Sequence, residues 1–392
     1  MAQKGKSRRV KRETTEAAEP ATSEEVASVR PPPVSARSKT LSKAVRSIEG
    51  FQLWSEIPPP LVCPTRFTSL NRGLKCGGIP GGMLGVVHGP SQGGKTLFAA
   101  EVLYDAWATG GWGLFVDAEC RAVDLKWFST ICGALDEVAY YKPRTYEECI
   151  AKIEEYRAKF KKAKEGGELP EGAFLAIAVD SVNRLTPSSE LEELLKGKVE
   201  ARGYPLRALL TSKWLDKLIP TLNRDEILVF VQRESKRMDT MPGQRTYKVK
   251  GGESPIYDGG WICRVTSCGR VKAEVKNKDD KVLVGEKHEL EVVKNSLGPH
   301  LNEVAYFYSS VGATNQTPLG LDFAREVREE AITRGLVKHR TGKGYFKGDE
   351  RLAGSKAEFL TWLKEEAPPD ENGEVKRNWE KMAEELNDEF RE

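Results

Sequence analysis

The stretch GPSQGGKT, residues 89–96, sets a lysine and a hydroxyl residue behind a run of small residues, directly after the apolar segment MLGVV. It fits G-x-x-x-x-G-K-[ST], with a strand pattern before it and a helical pattern after it, the setting a phosphate-binding loop needs. In such a loop Gly89, Pro90, Ser91, Gln92, Gly93 and Gly94 wrap the phosphates, and the backbone N–H groups of all but Pro90, which has none, can converge on phosphate oxygens. Lys95 then supplies a point charge to the outer phosphates, and the Thr96 hydroxyl can ligate Mg²⁺. A second apolar run, FLAIAVDS, ends in Asp180, where a carboxylate can hold the water shell of that metal. A third, LFVDAE, ends in Asp117 and Glu119; a carboxylate beside the phosphates can orient or deprotonate an attacking water, whereas Glu119 alone could equally cap a following helix. Loop, Asp180 and Glu119 together describe hydrolysis of a nucleoside triphosphate, with ATP and Mg²⁺ as the expected ligands.

These groups must be held at strand ends. Between Pro64 and about Gly312, MLGVVHG, GWGLFVDAE, FLAIAVDS and ILVFVQ alternate with helical patterns at 96–109, 145–164 and 205–222. Continuous apolar runs separated by helices are what a parallel sheet covered on both faces requires, so the expected class is α/β with a mostly parallel sheet flanked by helices. Ahead of this core, SKTLSKAVRSIEG spaces Leu41, Ala44, Val45 and Ile48 as a short amphipathic helix that needs a partner surface. After Thr317 come the helix LDFAREVREEAITRG, a glycine- and lysine-rich segment and the helix AEFLTWLKEE, a small α+β domain. The expected division is a disordered basic, proline-rich arm over 1–37, an oligomerisation helix and linker over 38–63, the core over 64–312, a C-terminal domain over 313–366 and an acidic tail over 367–392.

Composition narrows the class further. The 392 residues carry a formal charge of +3 although 30% of them are charged, so any basic surface is balanced by acidic segments elsewhere. Seven cysteines form no paired C-x₂-C set and are odd in number, which fits reduced thiols in a cytoplasmic protein better than a disulfide framework. No apolar run reaches membrane-spanning length, and the N-terminal segment lacks the apolar stretch of a secretory signal, so no membrane partner is expected.

The order TSLNRGLKCGGIPGGMLGVVHGPSQGGKT, FVDAE, AVDSVNRLTP, VFVQ, GGESPIY and EVVKN resembles the RecA-type recombinases, including those that phages encode. The segment GKGYFKGDERLAGSKAEFLTWLKE also resembles their C-terminal domain. This resemblance implies a RecA-like P-loop ATPase core that polymerises as a helical filament on single-stranded DNA, samples double-stranded DNA and exchanges strands. Single-strand-binding and mediator proteins would be further partners. It implies that Glu119 activates water and that Gln232 senses the γ-phosphate at the start of a DNA-binding loop. Asp124 and Trp127 would meet the adenine on one side and Tyr308 on the other, while Leu41, Ile48, Tyr257 and Lys294 would serve the subunit interface. Where bacterial members have two lysines reaching the neighbour's ATP, this chain has VVKNS, keeping Lys294 and placing Ser296 at the second position.

The same resemblance places single-stranded DNA on two loops. The first offers Arg202, Tyr204 and Arg207; the second offers Arg233, Lys236, Arg237, Met238, Met241 and Arg245, closing on Gly251 and Gly252. Basic side chains there would neutralise phosphates while apolar ones wedge between or stack on bases. Lys338, Arg340, Lys343 and Lys347 form a basic patch suited to duplex phosphates, and the acidic tail could either shield it or dock on the protein through NWEKMAEELNDEF. Alternatives on the same loop are a hexameric helicase or DNA-packaging motor, a small-molecule kinase, and a non-hydrolysing filament or mediator protein.

Overall fold

Alternation decides where each central strand sends its side chains, and the computed structural model shows it in three neighbours. The structure describes residues 42–119, 137–196, 206–236, 247–250, 252–272, 283–298, 304–310, 319–370 and 374–388. The strands are β1 (Val62–Pro64), β2 (Gly78–Pro80), β3 (Met83–Gly89), β4 (Trp112–Asp117), β5 (Val138–Tyr141), β6 (Leu175–Asp180), β7 (Glu226–Lys236) and β8 (Tyr247–Val249). They continue as β9 (Trp261–Lys272), β10 (Leu283–Asn295), β11 (Val304–Ser310), β12 (Gly320–Leu321), β13 (Lys338–Arg340), β14 (Gly344–Lys347) and β15 (Glu350–Ala353). In β3, β6 and β7, Val87, Ala178 and Val229 enter one hydrophobic cluster, while Val86, Val179 and Phe230 enter a second on the opposite face. Strands buried on both sides tolerate no polar alternation, hence their continuous apolar runs.

The main sheet has the order β12-β11-β10-β9-β3-β7-β6-β4-β5, with β8 pairing β7. From β9 through β5 all neighbours are parallel, and β10, β11, β12 and β8 add antiparallel edges. The mostly parallel α/β sheet expected from the sequence is therefore present. Helix Lys95–Ala108 fills one face with Phe98, Ala99, Val102 and Leu103. Helix Tyr146–Glu165 covers the other; the Thr145 side chain caps it by accepting from the Glu148 N–H, and acidic residues in its first turn and lysines in its last oppose the helix dipole. Helix Leu206–Leu218 adds Trp214 and Leu215 to the same layer.

By contact, the chain separates into Met1–Pro59 and Pro60–Glu392. In the first unit residues 42–46 are helical and Ile48 is exposed; Leu41 and the basic arm lie outside the described residues. In the second, β12 carries the sheet beyond the expected boundary at 312, and helix Phe323–Thr333 shares the core cluster of the Lys95–Ala108 helix. A three-stranded sheet β13-β14-β15 and helix Lys356–Lys364 follow. The acidic segment does not run free throughout. Helix Asn378–Asp388 buries Trp379, Met382, Ala383 and Leu386, with the Trp379 ring stacked on Phe323 at 5.4 Å. Docking, one of the two readings of this segment, is what these residues do.

Candidate nucleotide and DNA site

Register brings the chemistry to one edge. Asp117 lies opposite Asp180 across β4 and β6, Asp180 opposite Val231 across β6 and β7, and Gln232 opposite His88 across β7 and β3. All sit at the carboxyl ends of parallel strands, where open α/β sheets bind ligands. The phosphate loop leaves β3 at Gly89, where a side-chain carbon would come within 2.0 Å of the Val265 carbonyl oxygen. It enters its helix through Gly94 at φ +100°, a left-handed conformation that glycine adopts without strain, and a Cβ there would lie 2.8 Å from His288 Nδ1.

Lys95 is buried, and its Nζ donates to the Pro90 carbonyl at 2.5 Å. Burial pulls its pKa down, against the opposing pull of Asp180 and Glu119. Thr96 Oγ1 donates to Asp180 Oδ2 at 2.5 Å, and the peptide that follows Asp180 is cis. Burial pushes Asp180 up to about 6, with Glu119 adding to the rise and the Thr96 hydrogen bond opposing it. Glu119 accepts from Ser181 Oγ at 2.9 Å and from Arg233 Nε at 2.7 Å through Oε1, while Arg233 Nη2 donates to its Oε2. Gln232 is fully buried, yet neither end of its amide has a hydrogen-bond partner. A buried amide left unsatisfied costs about 1–3 kcal/mol, so the site carries unmet hydrogen-bonding capacity.

Beside the loop lies a cavity of about 540 Å³ lined by Ser91 to Leu97 and, opposite them, Glu286, His288, Ser309 and Gly320. That volume lies within the range of small-ligand sites. His288 Nδ1 faces the Gly93 carbonyl at 3.0 Å, an acceptor only, so this nitrogen carries a proton, while Nε2 lies 2.8 Å from Ser309 Oγ, a hydroxyl that can donate or accept. Burial lowers the His288 pKa and so favours the neutral ring, in which Nε2 accepts from Ser309. The residues present fit ATP and Mg²⁺. The unsatisfied Gln232 amide has spare donors and acceptors, and the Thr96 and Asp180 oxygens are hard donors of the kind Mg²⁺ takes. Among the described residues no group of three or more His, Cys, Asp and Glu side chains could hold a metal.

The family model for the RecA N-terminal domain matches residues 61–310. The chain belongs to the RecA family. It is similar to Protein RecA of Methylococcus capsulatus, 28% identical over 305 residues that cover 78% of this chain and 79% of that protein. Protein RecA of Thermus aquaticus is 27% identical over 344 residues, covering 84% of this chain and 90% of that protein. As a RecA-family member it is a DNA-dependent P-loop ATPase that uses ATP with Mg²⁺, forms filaments on single-stranded DNA, binds duplex DNA and acts in recombination and repair. Nothing among these relatives favours the helicase reading. No helix among the described residues is long and apolar enough to cross a membrane.

The remaining RecA-type site residues fall into three groups. Tyr308 lies in β11 beside the cavity-lining Ser309 and is itself buried. Tyr257 is exposed on helix Ser254–Asp258, and Lys294 Nζ donates to its carbonyl at 2.6 Å, so these two expected interface residues share one surface. Arg207 makes a forked pair with Glu190 at 2.7 and 3.2 Å, and Gly252 takes φ +97° close to Ala208. Asp124, Trp127, Arg202, Tyr204, Arg237, Met238, Met241, Arg245 and Gly251 lie outside the described residues. Lys236 ends β7, but its side chain is likewise not described.

In the C-terminal patch Lys338 and Lys343 are exposed, Arg340 donates to the Gly348 carbonyl and lies over the Phe346 ring, and Lys347 Nζ donates to Glu385 Oε1 at 2.5 Å. One acidic residue of the docked helix thus already holds one candidate duplex contact. Replacing Glu385 with glutamine is expected to free Lys347 for phosphate and to steepen the log–log salt dependence of duplex binding by about 0.9. Anisotropy titrations across a salt series measure it; an unchanged slope removes Lys347 from the duplex path.

Sequence reasoning missed a second charged cluster on the reverse side of β7. His88 Nδ1 lies 2.8 Å from Glu234 Oε1, Arg264 clamps the same carboxylate at 2.8 and 3.2 Å, and the Arg264 guanidinium lies over the Tyr247 ring at 4.4 Å. Burial raises the Glu234 pKa, but its hydrogen bonds with His88 and Arg264 outweigh that and hold the carboxyl below its usual range. The one available signal was a histidine in the otherwise apolar β3, immediately before the loop.

Proposed function

We propose that ATP hydrolysis in this chain runs through Glu119 as general base and Gln232 as the reader of the γ-phosphate. The supporting observation is the fully buried, unpartnered Gln232 amide in β7, opposite His88, the residue just before the phosphate loop begins at Gly89. In the chemical step Glu119 takes a proton from water as the water oxygen bonds to the γ-phosphorus. The bond from that phosphorus to the bridging oxygen breaks, and ADP departs with the electron pair. Lys95 offsets charge on the outer phosphates, Thr96 and Asp180 hold the metal site, and backbone N–H groups from Ser91 to Thr96 orient the chain of phosphates. Mg²⁺, when bound, would neutralise phosphate charge and polarise the γ-phosphoryl group.

Gln232 sits directly before Arg233 and the loop assigned to single-stranded DNA, so satisfying its amide with phosphate would bias that loop toward DNA. The exposed Tyr257–Lys294 surface is assigned to the neighbouring protomer, with Ser296 leaving one trans cation where bacterial members have two. Asp124, Trp127 and Tyr308 keep the adenine assignment, and the division at residues 37, 63, 312 and 366 is retained as a functional one, with β12 shared across the third boundary. The cysteines at 63, 76, 149, 263 and 268 are free, which suits a reducing cytoplasmic compartment. The test is electron microscopy with single-stranded DNA and a non-hydrolysable ATP analogue. Wild-type protein is expected to form helical filaments, whereas Gln232→Ala is expected to bind the analogue but gain no DNA affinity from it. Closed rings, or normal nucleotide-dependent DNA binding by Gln232→Ala, would contradict the assignment.

A further inference from the structure

We infer that Arg233 is an inhibitory latch on Glu119 and that phosphates of single-stranded DNA release it. Arg233 engages both carboxylate oxygens of Glu119, Nε on Oε1 at 2.7 Å and Nη2 on Oε2, and Ser181 Oγ adds a third donor at 2.9 Å. Side-chain exposure is 23% for Arg233 and 11% for Glu119, so water only partly screens the pair. A carboxylate held by a fork of this kind is neutralised and has its lone pairs committed to donors. In that state it is a poor acceptor for a proton from water, which makes the arrangement an off state of the base.

The position of Arg233 supplies the means of release. It is the next residue after Gln232, near the end of the strand that precedes the segment assigned to single-stranded DNA, and guanidinium groups form the same forked contact with phosphate as with carboxylate. Glu119 and a DNA phosphate are therefore mutually exclusive partners for one side chain. Lys95 stands close enough for repulsion from Arg233 to help lower the pKa of Lys95, so a second cation already opposes keeping the guanidinium where it is. The latch makes hydrolysis depend on DNA through competition between two anions, with no rearrangement of the phosphate loop itself. It rests on the assignment of Glu119 as the base.

Steady-state ATPase of the full chain, with and without single-stranded DNA, tests it. Arg233→Gln is expected to raise the DNA-free kcat by about 10- to 100-fold, the factor lost with a charge-assisted hydrogen-bonded pair, and to shrink the stimulation by DNA correspondingly. Arg233→Lys, which keeps the charge but not the fork, is expected to fall between wild type and Arg233→Gln, and it serves as the test if the glutamine variant does not fold. A DNA-free kcat that is unchanged or reduced, with binding of a fluorescent ATP analogue retained, overturns the latch. Glu119→Gln separates the two ideas. If Glu119→Gln is inactive while Arg233→Gln behaves as wild type, only the latch fails; if Glu119→Gln turns over normally, the base assignment fails with it.

Discussion

Glu119→Gln is expected to bind ATP and single-stranded DNA and to hydrolyse ATP about 10²- to 10⁴-fold more slowly, the range contributed by a positioned general base. The substitution keeps side-chain length and one acceptor oxygen, so Ser181 Oγ and Arg233 Nε can still hydrogen-bond to Oε1, while Arg233 Nη2 loses its acceptor. What disappears is the capacity to take a proton. Because binding survives, filaments of this variant should persist on DNA after ATP addition, whereas wild-type filaments are expected to disassemble as ADP accumulates. Phosphate release and filament lifetime measured on the same sample check both halves. Hydrolysis at the wild-type rate would remove Glu119 from the chemistry.

Lys95→Ala acts on the other half of the cycle. Truncating one partner of a buried charge pair costs about 2–5 kcal/mol, so nucleotide affinity should fall by a factor on the order of 10² or more. Among the described residues Lys95 donates to the Pro90 carbonyl at 2.5 Å, and burial already lowers its pKa. Losing it should therefore leave thermal unfolding near that of wild type while abolishing nucleotide-dependent filament formation. Equilibrium binding of a fluorescent ATP analogue beside a thermal melt separates those effects. A collapse of the melt would mean that Lys95 chiefly supports the fold.

The legible part of this site is the part written contiguously. Residues 89–96, the carboxylate that ends β6 and the carboxylate just past β4 each lie within one short segment whose apolar run fixes where the strand stops. The pairs that govern those residues were not legible. Glu119 meets Arg233 across 114 positions and His88 meets Glu234 across 146, and no local spacing encodes either. Arg233 was legible only as one cation in a basic loop, since sequence cannot say whether a guanidinium faces DNA or a carboxylate. Strand β5, with the half-exposed run VAYY, and the short strands β13 to β15 carried too little apolar pattern to stand out. The docking of helix Asn378–Asp388 was foreshadowed by the spacing of Trp379, Met382 and Leu386, but its partner Phe323 was not.

Because Arg233 and Glu234 are consecutive on β7, they point to opposite faces, one toward Glu119 and the other toward His88 and Arg264. A strand has a side-chain period of two, so this part of the enzyme is sensitive to parity in a way that a loop is not. One residue inserted after Val231 would carry Gln232 to the position facing Glu119 and Arg233 to the position facing Arg264, setting two guanidinium groups against each other and leaving the base with a neutral neighbour. Two inserted residues would restore each side chain to its own face while lengthening the reach toward DNA. An odd change in length at this junction therefore exchanges the two faces. An even change keeps the faces but carries Gln232 and Arg233 about 7 Å along the strand for each pair of residues, away from His88 and Glu119, so the strand up to Arg233 is fixed in length as well as in parity.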